Sequence, residues 1–112
     1  MKFTKYIYIA LLVIFSSSSY SASTGATGWR EISEIGCHLG DGTCYVTLDI
    51  PVGPSNCNSS SIRWNKDYSD SGKETLSLLI AASAAGKKVN FYVSGNCYGN
   101  FPTFLYMSVK MK

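Results

Sequence analysis

The clearest pattern in the chain is the alternation of "CYVTLDI", residues 44–50, which sets Val46, Leu48 and Ile50 on one face and Tyr45, Thr47 and Asp49 on the other. Period two over a run of this length predicts a half-buried strand. The same period returns where Val89, Phe91 and Val93 alternate with Asn90, Tyr92 and Ser94. It returns once more at the carboxyl end, where Thr103, Leu105, Met107, Val109 and Met111 take one phase and Phe104, Tyr106, Ser108 and Lys110 the other. From Trp29 to Leu39 the pattern is looser. Trp29, Ile35, Cys37 and Leu39 share a phase that Ile32 breaks, and a bulge near Ser33 would reconcile them. A short strand, Ser61–Asn65, is expected between two polar loops.

The period changes between the third and fourth strands. Leu76, Leu79 and Ile80 lie at helical spacing, and the alanines at 81, 82, 84 and 85 keep that helix slim enough to approach a sheet. Ser71 with Glu74 has the capping-box spacing for its start, and Gly86 is the expected stop. Lys87 and Lys88 then suit the negative end of the helix dipole. The order is three strands, one helix and two strands. A mainly β chain with this connectivity, β-β-β-α-β-β, is that of the five-stranded OB-fold barrel, in which the helix after the third strand plugs one end.

Turns and cysteines tighten this reading. "LGDGT", residues 39–43, has glycines that permit positive φ, so it should close a hairpin. With a Leu39–Gly42 loop, Cys37 faces Cys44 across the two strands. Four cysteines allow three pairings. The hairpin register favours Cys37–Cys44, which leaves Cys57, before the third strand, to join Cys97 at the end of the fourth. In the chain-entropy account, loops of about 8 and about 41 residues contribute about 2.5 and about 4 kcal/mol.

The amino terminus sets the compartment. Lys2 and Lys5 precede an apolar run, Tyr6 to Phe15, and then four serines, the pattern of a secretory leader over residues 1–22. The run is about half the roughly 20 residues needed to span a bilayer. The expected domain is therefore 23–112, exported to a periplasm or beyond, where disulfides persist. Ser23 to Gly28 should be mobile, with order beginning near Trp29. Without the leader the basic residues fall from 10 to 8 against 7 acids, and the net charge from +3 to +1. That balance argues against nucleic acid or an anionic membrane as a partner.

Catalytic and metal chemistry find little support. His38 is the one histidine and no CxxC spacing exists, so no metal and no cofactor is expected. Glu31 and Glu34, three apart on a strand, point to opposite faces and make a poor glycosidase pair. An enzyme is not expected. Aromatics are plentiful, and sugar rings stack their C–H faces on such side chains while nearby polar groups bond the hydroxyls. "SIRWNKDY", residues 61–68, concentrates Arg63, Trp64 and Asn65, the first candidate glycan-binding residues. Thr27 and Trp29 are the second.

The run "ASAAGKKVNFYVSG", the cysteine after it, a loop with Pro102 and a final alternating strand resemble the B subunits of AB5 toxins of the subtilase cytotoxin and pertussis-like type, and small exported bacterial proteins related to them. "EISEI", residues 31–35, is similar to part of their first strand. The resemblance implies an OB-fold subunit of a ring, often a pentamer, that binds cell-surface glycans, commonly sialylated, beside a toxin A subunit. Those subunits hold sialic acid partly through a serine entering strand one, where this chain has Thr27 or Gly28 instead. Three functional classes stand: a glycan-binding, toxin-B-like homo-oligomer; a small periplasmic inhibitor or immunity-type protein that binds another protein; and a structural or surface protein of no defined ligand.

Overall fold

The computed structural model describes residues 24–112, so the expected leader at 1–22 lies outside the described residues. The elements are β1 (Gly25–Ala26), β2 (Ile32–Cys37), β3 (Thr43–Val52), β4 (Ser59–Asn65), α1 (Asp70–Ala84), β5 (Val89–Tyr98) and β6 (Phe101–Val109). The strands form two antiparallel three-stranded sheets, ordered β1-β5-β6 and β2-β3-β4. The chain is thus mainly β with one helix, with disulfides joining Cys37 to Cys44 and Cys57 to Cys97.

The hairpin forms in the expected register. Cys37 lies opposite Cys44, Gly42 takes φ +72°, and the His38 N–H donates to the Thr43 carbonyl at 2.7 Å. The bulge also falls where the broken phase placed it: Ile32 faces Leu48 and Glu34 faces Thr47, leaving Ser33 as the extra residue.

Three expectations at the strand level are corrected. Order does not wait for Trp29: Gly25 and Ala26 pair with Val93 and Tyr92, adding a strand the small polar residues did not advertise. The sheets do not close into a barrel. β4 and β6 run side by side without a shared backbone ladder, and they meet through side chains, Trp64 on Phe104 and Arg63 on Phe101. Within β6, Pro102 has no N–H to offer a neighbour, and it is buried against Gly53, where a Cβ would come within 2.5 Å of the proline ring. On the opposite side a single two-way bridge, Arg30 with Val89, links the entry to β2 with β5. The last strand, finally, keeps neither of its two phases. Phe104 faces Val93 and Tyr106 faces Tyr92, so Leu105 is an inserted residue. Phe104 and Met107 therefore both pack on the core, whereas Leu105 and Tyr106 are 68% and 61% exposed.

The helix is corrected at its start and confirmed at its end. It begins after Ser69, which makes no side-chain cap, so Ser71 lies inside the first turn and the Ser71–Glu74 box does not form. Gly72 permits this start, since a Cβ there would come within 2.8 Å of the Asn65 carbonyl. At the other end Gly86 takes φ +66° while Gly86 N–H donates to Ser83 and Lys87 N–H to Ala82, a Schellman closure. Leu79 and Ala82 are buried and Leu76 packs beside them, but Ile80 is 52% exposed.

One core joins both sheets and the helix. Phe91, Ile62, Leu79, Val46 and Val52 are its largest fully buried apolar side chains, and each contributes about 1.5–3 kcal/mol by leaving water. Phe104 meets Phe91 and Trp64 edge-on, at centroid distances of 4.8 and 5.5 Å.

Candidate functional site

The structure divides the five expected binding residues into two groups. Trp64 is a core residue, 7% exposed, and its indole Nε1–H donates to the Gly72 carbonyl at 3.1 Å. An indole this buried, with its N–H spent on the Gly72 carbonyl, is a core side chain rather than the exposed stacking platform expected of it. The sequence could not reveal this, because alternation along β4 assigns Arg63 and Trp64 to opposite faces without saying which face is inward. Asn65 is half-buried and closes a turn, its Oδ1 accepting from the Asp67 N–H at 2.8 Å. Arg63 lies on the opposite face of β4 from Trp64. Its guanidinium carbon is 3.5 Å from the centre of the Phe101 ring and 5.3 Å from that of Tyr45, and its Nε–H donates to Ser61 Oγ at 3.4 Å.

Thr27 and Trp29, by contrast, border a continuous surface, the outer face of the β1-β5-β6 sheet. Phe91 and Val93 turn into the core, so Asn90 and Tyr92 point outward. Their partners across the ladder are Ser108 and Tyr106. Tyr92 and Tyr106 stack in parallel, 5.1 Å apart with 10° between the rings, and remain 40% and 61% exposed. Just past the end of β6 stands Lys110, whose N–H donates to the Lys88 carbonyl and whose Nζ lies 5.7 Å from the Trp29 ring centre. Trp29 is itself 41% exposed.

The face therefore carries a tyrosine pair at one end and a tryptophan beside Lys110 at the other. At about 3.3 Å of rise per residue the four residues from Tyr106 to Lys110 separate these ends by about 13 Å. Asn90 and Ser108 stand between them. The Thr27 hydroxyl belongs to the framework rather than to the surface. It accepts from the Phe91 N–H at 3.2 Å and lies 2.8 Å from the Gly28 carbonyl, so it anchors the strand entry against β5. Asn90, Ser108 and Lys110 were missed as members of this face; the signal lay in the antiparallel pairing of the last two strands, which sets Tyr92 against Tyr106.

Concavities also lie along α1. A cleft of about 290 Å³ opens at the start of α1, lined by Trp64, Tyr68, Ser69, Ser71, Thr75 and Leu105. A more apolar groove of about 240 Å³ runs along α1 beside the end of β6, between Leu78, Ala81 and Ala85 on one side and Val109 and Met111 on the other. Among the described residues no group of three His, Cys, Asp or Glu side chains converges as a metal site, and no helix is long and apolar enough to cross a membrane. At the hairpin, Asp41 is held below the usual carboxylate range, mainly because the Thr43 N–H donates to it, with His38 adding a smaller effect.

No protein-family model, curated protein or solved structure matches this chain.

Proposed function

We propose that this chain is an exported, non-catalytic binding module that takes a neutral glycan on the outer face of the β1-β5-β6 sheet and works as one subunit of a homo-oligomer of the toxin-B type. The observation that carries the proposal is the exposed Tyr92–Tyr106 stack, with Asn90 and Ser108 beside it and Trp29 beyond. Ring faces of this kind accept the C–H face of a sugar, and the amide and hydroxyl bond its hydroxyl groups. The strand, helix and disulfide order supports an OB-type connectivity opened along the seam between β4 and β6. The apolar groove beside α1 supplies the surface for a neighbouring subunit.

One aromatic face is worth about 1 kcal/mol, so single-site affinity is no better than roughly millimolar and useful binding needs several copies. The test is a glycan array probed with the assembled protein and with Tyr106→Ala, whose exposed side chain can be removed without opening the core. Binding by the wild type that Tyr106→Ala loses supports the assignment. A wild-type oligomer that binds no glycan refutes the function, and a Tyr106→Ala variant that binds as well as wild type removes this face.

A second reading, a small inhibitor or immunity-type protein, draws on the same apolar groove, which fits another protein as readily as another copy. Light scattering separates the two: a monomer at about 0.1 mM, well above the micromolar range of an ordinary assembly, favours the inhibitor.

A further inference from the structure

Arg63 stands out among the cations of the chain by its surroundings. The described ion pairs are Arg30 with Asp49, His38 with Asp41 and Lys66 with Asp67, and none includes Arg63. Its guanidinium instead lies against two rings supplied by different sheets, Phe101 from β6 and Tyr45 from β3. Each ring is itself seated. Tyr45 lies across Gly36, where a Cβ would come within 2.7 Å of the tyrosine hydroxyl, and Phe101 precedes the buried Pro102. The Nε–H is directed to Ser61 Oγ. Among the described residues no protein acceptor takes a hydrogen bond from either terminal nitrogen of Arg63.

We infer that Arg63 is a preorganised receptor for a carboxylate. A guanidinium flanked by rings loses water from its faces but keeps its in-plane N–H donors, and those donors match the two oxygens of a carboxylate. Because the side chain is already fixed by Phe101, Tyr45 and Ser61, little rotamer freedom remains to be lost on binding. The charge balance selects the anion. Arg63 is one cation, and Lys66, the nearest in sequence, is engaged by Asp67 at 2.9 Å. A planar monoanion suits that single charge, whereas a phosphate dianion calls for a second cation. The site lies at the seam between β4 and β6 and does not depend on the glycan reading of the outer sheet face.

The same contacts would also serve as a clamp between the sheets, so loss of stability in an Arg63 variant decides nothing. The test reads the arginine directly, by following the Nε–H signal of Arg63 in the isotopically labelled protein during separate titrations with acetate, glucuronate, glucose, phosphate and chloride at matched ionic strength. The expected result is a saturable shift with acetate and with glucuronate at millimolar concentrations, and none with glucose or chloride. Arg63→Lys, which keeps the charge but not the paired donors, should weaken glucuronate binding by about tenfold. No carboxylate-dependent shift up to tens of millimolar overturns the proposal, as does an equal response to chloride or a preference for phosphate. A shift with acetate alone assigns the site to a carboxylate that is not carried on a sugar. Since the wild-type titration reports on Arg63 itself, the outcome stands even if the lysine variant fails to fold.

Discussion

Replacing Trp64 with phenylalanine separates a core role from a binding role at one position. The indole is 7% exposed, packs edge-on against Phe104 at 5.5 Å and donates to Gly72 at 3.1 Å. Trp64→Phe keeps an aromatic ring but removes the donor, leaving the Gly72 carbonyl without its partner at about 1 kcal/mol. The smaller ring leaves space beside Phe104 for about 1 kcal/mol more. A total of about 2 kcal/mol lowers the melting temperature of a domain this size by roughly 8–16 °C. Trp64→Ala loses about 3–5 kcal/mol, comparable with the whole stability of a small domain, so it should not fold stably. The assay is thermal and urea unfolding followed by far-ultraviolet circular dichroism with the disulfides intact. A Trp64→Phe protein within about 0.5 kcal/mol of wild type, the range of an ordinary surface change, would refute the core assignment. So would a variant that folds like wild type but no longer binds a glycan that the wild type binds.

The remaining predictions concern the hairpin and the staples. Replacing both Cys57 and Cys97 by serine should destabilise by about 4 kcal/mol, against about 2.5 kcal/mol for Cys37 with Cys44, because the first bridge closes the longer loop; an inverted order in urea midpoints would show that loop length is not what governs these bridges. For Asp41 the folded carboxyl has the lowered pKa, so its contribution is present above the ordinary carboxylate pKa and is lost as pH falls through the folded value. The urea midpoints of wild type and Asp41→Asn should therefore differ at neutral pH and converge in strong acid, and a difference that grows on acidification contradicts the assignment.

Much of the fold was legible because local signals agreed with one another. The alternation around Val46, the glycine after Ala85, the out-of-phase Ile32 and the cysteines flanking "LGDGT" each record a constraint acting within about ten residues of chain. What escaped was decided at long range. Nothing local marks Gly25 and Ala26 as a strand, since their partners are Val93 and Tyr92. The bulge at Leu105 arises from the ladder with β5, and reading β6 as an unbroken alternation grouped Phe104 with Tyr106 and Leu105 with Met107, whereas Phe104 and Met107 share the core side. The binding residues followed the same division. A concentration of Arg, Trp and Asn in one short strand looked like a surface, but the helix start covers one face of it through Gly72 and places Trp64 in the core. The face with the most exposed aromatic stack is assembled from two strands, each carrying a single tyrosine to it.

The pairing of β1 and Arg30 with β5 also fixes an order of events. Strands β2, β3 and β4 find their partners next to them in the chain, and Cys37 finds Cys44 across a short turn. Gly25 and Ala26 have no ladder until Val89–Val93 exists, and Cys57 waits 40 positions for Cys97. In a chain made from its amino terminus onward, β1 therefore reaches its final place only after the helix has been traversed and β5 is present, a pairing of high loop-closure cost. The strand that enters the fold ahead of all the others in sequence is its latch.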